Sequence, residues 1–135
     1  MKFFLDTNIT IDILTKREPD YKDSVACYEK IVLSGNKAVV STISVADVMY
    51  ITRKYFSNKE EQLKKVSDFI DTLKIAKVSA KDLKFAFSGV ITDFEDALQA
   101  YCAKRYHVKY IITRNVKDYK FSPVKAITPE DFLGM

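Results

Sequence analysis

Short apolar runs separated by longer stretches of helical periodicity limit this chain to few architectures. The runs fall at Lys2 to Leu5, Lys37 to Ser41, Lys74 to Val78, Tyr110 to Thr113 and Lys125 to Ile127. Each has the length of a buried strand, and the unbroken Phe3, Phe4, Leu5 suits a strand covered on both faces better than one half exposed to water. The segments between them read as helices: Asn8 to Lys16, Asp20 to the stop at Gly35, Thr42 to Phe56, Asn58 to Leu73, Ser79 to Ser88, Asp93 to Arg105, and a capped last turn in TPED. Strands alternating with helices predict an α/β fold, a three-layer α/β/α sandwich around a central, mainly parallel sheet of about five strands. At 135 residues the chain is expected to form a single domain over 1–135.

Composition removes several classes of function. The three glycines, Gly35, Gly89 and Gly134, leave no room for a P-loop or a GxGxxG nucleotide site. Cys27 and Cys102 lie in apolar helical patterns with no CxxC, which fits buried free thiols in a reducing cytoplasm and not a disulfide or cysteine–metal site. His107 is the sole histidine and no GxSxG accompanies it, so a serine or cysteine triad is not expected. The N-terminus lacks the apolar core of a signal peptide, and no apolar run reaches the roughly 18 residues of a membrane span. A cytoplasmic location without membrane contact is expected. The net charge is +4, so if several acids gather in one site the remaining surface is basic enough to meet a polyanion.

Acids stand where elements begin or end. Asp6 closes the first strand, Asp47 is placed in the first turn of the helix after the second, Asp93 and Asp96 open a later helix, and Asn115 and Asp118 follow YIIT. In a parallel sheet these positions share one edge, so residues distant in sequence can meet there. Clustered carboxylates raise one another's pKa unless a cation sits among them. Oxygen donors without His or Cys point to Mg²⁺ or Mn²⁺. Asp93 and Asp96 share a helical face, and Ala97, Ala100 and Ala103 let that helix lie close to the sheet. Structural readings stand beside these: Asp6 as a cap or turn residue, Asp93 as an N-cap, and Asp47 as part of an ordinary helix start after Ser44. Arg114, Lys104 and Arg105 are candidates for phosphate contacts. Tyr50 and Tyr55 can stack on bases, though their helical spacing equally suits the core or a dimer interface.

LDTN after the first strand, then STISVAD, DFEDALQA and ITRNVKDY, in that order, resemble the PIN-domain family, in particular its VapC-type toxin ribonucleases. The resemblance covers almost the whole chain. It implies a metal-dependent ribonuclease in which one or two Mg²⁺ or Mn²⁺ ions in an acidic pocket activate water against an RNA phosphodiester, leaving 5′-phosphate and 3′-hydroxyl ends. Asp6, Asp47 and Asp96 match the family's first three acids, and Asp93 is a further candidate ligand. Two departures stand out. The second acid is usually Glu, so Asp47 is one methylene short; and Asn115 occupies the fourth position, with Asp118 three residues on able to supply the missing carboxylate. Thr113 would orient Asp6 or a metal-bound water, while Asn8 and Arg114 would support the site or touch substrate. The resemblance further implies a cognate antitoxin covering the groove, and a toxin homodimer. A catalytically weak PIN-like module that binds RNA or protein is the other expectation.

Overall fold

The structure, a computed structural model, describes residues 1–135. Its five strands are β1 (Lys2–Leu5), β2 (Lys37–Ser41), β3 (Lys74–Ala76), β4 (Tyr110–Ile112) and β5 (Ala126–Ile127). They form one sheet in the order β3-β2-β1-β4-β5, every pair parallel. β1 is central: Phe4 pairs with Val39 on one side and Ile111 on the other. Seven helices connect and cover the sheet: α1 (Thr7–Thr15), α2 (Tyr21–Leu33), α3 (Thr42–Thr52), α4 (Lys59–Ile70), α5 (Ala80–Phe87), α6 (Phe94–Arg105) and α7 (Pro129–Leu133).

The two-residue period of the strands sorts their side chains between two cores. Phe4, Val39, Ala76, Ile111 and Ala126 face one way and pack with Ala86 of α5 and Ala97, Ala100 and Ala103 of α6. The small alanines let α6 lie close on the sheet, which brings its first turn to the end of β1. Phe3, Leu5, Ala38, Val40, Ile112 and Ile127 face the other way, against Ile9 of α1, Cys27 and Ile31 of α2 and Phe132 of α7. Each fully buried Leu, Ile or Phe contributes about 1.5–3 kcal/mol. A third group, Ile11, Val48 and Val66, ties α1, α3 and α4 together. The expected three-layer α/β/α sandwich is therefore present. Both cysteines are free and buried, their thiols pushed up to about 12 (Cys27) and about 11 (Cys102), chiefly by burial. No helix is long and apolar enough to cross a membrane.

Several element ends differ from expectation, each for a local reason. β3 stops at Ala76 because the next two amides leave the ladder: Lys77 N donates to the Tyr106 hydroxyl at 2.9 Å and Val78 N to Thr42 Oγ1 at 3.3 Å. α3 ends at Thr52 and not Phe56, followed by a 3-10 turn over Arg53–Tyr55. Gln62 of α4 meets the end of α3 there, its Nε2 donating to Met49 O at 2.6 Å and to Thr52 Oγ1 at 3.0 Å. α3 starts at Thr42, capped by Ser41, whose Oγ accepts from Ser44 N at 3.0 Å. Asp47 consequently lies in the second turn, not the first, and Ser44 is not a helix start. Tyr50 is 67% exposed and Tyr55 43%, so neither belongs to the core.

Candidate active site

The carboxyl ends of β1, β2 and β4 open onto a cleft of about 270 Å³ lined by Asp6, Thr7, Asn8, Asp47, Ile51, Asp93, Glu95, Asp96, Gln99, Asn115 and Asp118. Six of these eleven are acids, contributed by the β1–α1 junction, α3, the start of α6 and the turn after β4. The parallel order, with β1 flanked by β2 and β4, makes this the place where such residues converge.

Asp6 is the most constrained of them. It is 7% exposed and is held by four donors: Oδ1 accepts from Thr7 N at 2.8 Å, from Gln99 Nε2 at 3.3 Å and from the Tyr119 hydroxyl at 3.3 Å, and Oδ2 accepts from Thr113 Oγ1 at 2.8 Å. It is at once the N-cap of α1 and part of the lining of the cleft. Burial raises its pKa, and the four donors, Thr113 foremost, oppose that rise. Thr113 is wholly buried beside Asp6. Its hydroxyl also accepts from Asn115 N at 3.0 Å, which fixes the turn carrying Asn115.

Asp96 sits in the first turn of α6, behind Asp93, whose Oδ1 caps the helix by accepting from Asp96 N at 2.9 Å. Asp93 therefore is a cap and lines the cleft as well. Burial first, then the negative charges of Asp6 and Asp93, push Asp96 up to about 7. Glu95 is pushed up to about 8 by burial and by the Asp47 carboxyl facing it. Asp118 and Asn115 stand exposed at the mouth.

Sequence reasoning does not pick out Glu95, Gln99 and Tyr119. Gln99 lies three residues after Asp96, hence on the same helical face, and that spacing is an available signal. Glu95 reads as a first-turn acid favourable to the helix dipole, and Tyr119 as the apolar end of a turn; nothing local separates them from ordinary residues. The arginines depart from expectation. Arg114 does not enter the cleft: its Nε lies 3.4 Å from Asp12 Oδ2 and its Nη1 pairs with Asp20. Arg105 is engaged by Asp82, with Nε to Oδ1 at 2.7 Å and Nη2 to Oδ2 at 2.6 Å. Lys104 is exposed outside the cleft, its Nζ 5.9 Å from the Tyr101 ring centre. Asn8 lines the cleft, and its Oδ1 accepts from Arg17 Nη2 at 3.4 Å.

No three Asp, Glu, His or Cys side chains approach closely enough to form a ready metal-ligand cluster. The acids instead line the walls, as mutual repulsion requires. An all-oxygen donor set of this kind, with Asp96 and Glu95 driven toward protonation, fits a hard divalent cation that keeps much of its water and binds through one or two carboxylates.

The family model of the PIN domain matches residues 2–117. The chain belongs to the PIN-domain family. This PIN domain is 24% identical over 136 aligned positions to ribonuclease VapC1 of Aquifex aeolicus, an alignment that takes in 97% of this chain and 92% of the relative. Its fold resembles that of a chain in the VapBC-1 structure from nontypeable Haemophilus influenzae, with a TM-score of 0.73 and 19% identity, covering 96% of this chain and 99% of that one. A chain of VapBC2 from Rickettsia felis, bound to a promoter DNA fragment, gives a TM-score of 0.69 at 24% identity, covering 95% of this chain and 98% of that one.

Proposed function

We propose that this PIN domain is a divalent-metal-dependent ribonuclease that hydrolyses RNA phosphodiester bonds. The observation that carries the reading is the convergence of Asp6, Asp47, Glu95 and Asp96 from three separate elements on one cleft, with Asp6 locked in place by Thr113, Gln99, Tyr119 and the Thr7 amide. Asp6 and Asp96 would hold Mg²⁺ or Mn²⁺, with Asp47 and Glu95 on the facing wall and Asp118 or Asn115 at the mouth. When bound, the cation supplies charge to the phosphate oxygens and acidifies a water to the nucleophile. The chain's own residues do the rest. Four donors hold the Asp6 carboxylate in one rotamer, so the position of bound charge is set before substrate arrives. Tyr119, buried between Asp6 and Asp96, keeps the two acids from rotating apart. Asp96 and Glu95, with pKa values near neutrality, can hold or release a proton as the cation and substrate come and go.

Similarity to a ribonuclease and to toxin chains of VapBC assemblies supports a place in a toxin–antitoxin pair. In that setting a cognate antitoxin covers the acidic cleft, complementary charge favouring a basic segment there, and the toxin itself forms a homodimer. The test is incubation of a labelled mixed RNA pool with purified protein in Mg²⁺, Mn²⁺ or EDTA, followed by analysis of the product ends. Cleavage in either metal, none in EDTA, and 5′-phosphate products support the reading. RNA retained but uncut would favour a binding module.

A further inference from the structure

Asp93 and Asp118 line the acidic cleft. Those two residues also form one wall of a second cleft, the larger at about 470 Å³, completed by Val90, Ile91, Lys117, Lys120 and Phe121. Resting on the ribonuclease reading above, we propose that this second cleft is the track for the single-stranded RNA flanking the scissile phosphate, with Phe121 stacking on a base and Lys117 and Lys120 holding the backbone.

Three observations carry this. First, the two clefts share Asp93 and Asp118, so this one adjoins the place where the scissile phosphate would lie. Second, Phe121 is 63% exposed, so its ring is open to a stacking partner. Lys120 Nζ lies 5.3 Å from its ring centre, so cation and aromatic face form one unit. Third, neither Lys117 nor Lys120 forms an ion pair or a side-chain hydrogen bond, whereas Arg105, Arg114 and Arg17 are all committed to buried acids. Two uncommitted ammonium groups beside an exposed ring, adjoining an acidic centre, match alternating phosphate and base. With Asp93 and Asp118 offset by Lys117 and Lys120, this cleft has no net charge to draw a basic peptide, whereas an exposed ring favours a stacking base.

The test measures binding and turnover separately. A short fluorescein-labelled single-stranded RNA of mixed sequence is titrated by anisotropy with Ca²⁺ in place of Mg²⁺, across a salt series, for the wild type, Phe121→Ala, Phe121→Tyr and the double variant Lys117→Ala/Lys120→Ala. All of these changes are at exposed positions, and circular dichroism checks the fold. Phe121→Ala is expected to weaken binding by about 5- to 30-fold and Phe121→Tyr to restore it, because any aromatic face can stack. The double lysine variant should flatten the slope of log K against log salt by about 1.4, at roughly 0.7 for each phosphate no longer neutralised. In steady-state cleavage with Mg²⁺ both effects should appear in KM with kcat little changed. Unaltered affinity and salt slope in both folded variants would overturn the track while leaving the ribonuclease intact. A wild type that binds RNA through these residues but never cuts would overturn the ribonuclease and leave the track; a wild type that neither binds nor cuts overturns both.

Discussion

The Tyr119 hydroxyl lies 3.3 Å from Oδ1 of Asp6, and the same oxygen stands 3.3 Å from Oδ1 of Asp96. One hydroxyl has a single proton, which at these equal distances the two carboxylates share. Burial first, and then the charges of Asp6 and Asp96, suppress ionisation of Tyr119, which keeps its hydroxyl a donor to both acids.

Replacing Tyr119 by Phe removes a donor that lowers the pKa of both acids. Carbon-detected NMR titration of the carboxyl groups should therefore show Asp96 titrating above its wild-type position near 7. The loss in stability should be only about 0.5–1.5 kcal/mol, since the ring stays buried.

The metal-free protein should lose stability as the pH rises. Asp96 is raised from 3.8 to about 7 and Glu95 from 4.5 to about 8, so between about pH 4 and 8 the folded state binds more protons than the unfolded one. Unfolding free energy falls wherever that holds. Both side chains reach water, and after discounting for screening the summed loss is about 1–2 kcal/mol. Thermal melts in EDTA at about pH 5 and about pH 8 read it directly, and Mg²⁺ should raise Tm more at the higher pH.

Glu95→Gln should act with opposite sign on stability and on metal affinity. It relieves repulsion with Asp47, so the metal-free variant at about pH 8 should be more stable by up to about 1 kcal/mol. Mn²⁺ binding should weaken by about 10-fold, as for loss of a supporting ligand group. Paired melting and calorimetry on one preparation check both.

Arg105→Ala should be a stability variant and not a catalytic one. Its guanidinium holds Asp82, which is wholly buried, by two hydrogen bonds, and it also donates to Lys77 O at 2.7 Å. Removing it strands a buried carboxylate at about 3–5 kcal/mol. Urea denaturation should show that loss, with cleavage per folded molecule unchanged.

The sheet is legible in the sequence because apolar runs such as Phe3 to Leu5 and Lys37 to Ser41 can bury on both faces only as interior strands, and β2 has the bounds its pattern gives. Asp6 and Asp96 are legible because a carboxylate at a strand or helix end stands out against its neighbours. Pairings across the fold are not. Arg105 and Arg114 look like free cations until Asp82, Asp12 and Asp20 are brought to them from 23 to 102 residues away. Tyr119 looks apolar until its hydroxyl reaches two acids. Asp47 lies five residues into α3 and so in its second turn, and Gln62 meets the end of that helix from another element altogether.

Calorimetric titration of Mn²⁺ into the wild type and into Asp6→Asn and Asp96→Asn at about pH 7.5 tests most directly whether the acidic cleft is a cation site. The wild type should bind Mn²⁺ with release of protons, because Asp96 near 7 and Glu95 near 8 are partly protonated without it. Each variant should bind at least about 10-fold more weakly. A wild type that takes up no Mn²⁺, or variants that bind it as tightly, would contradict the cation site.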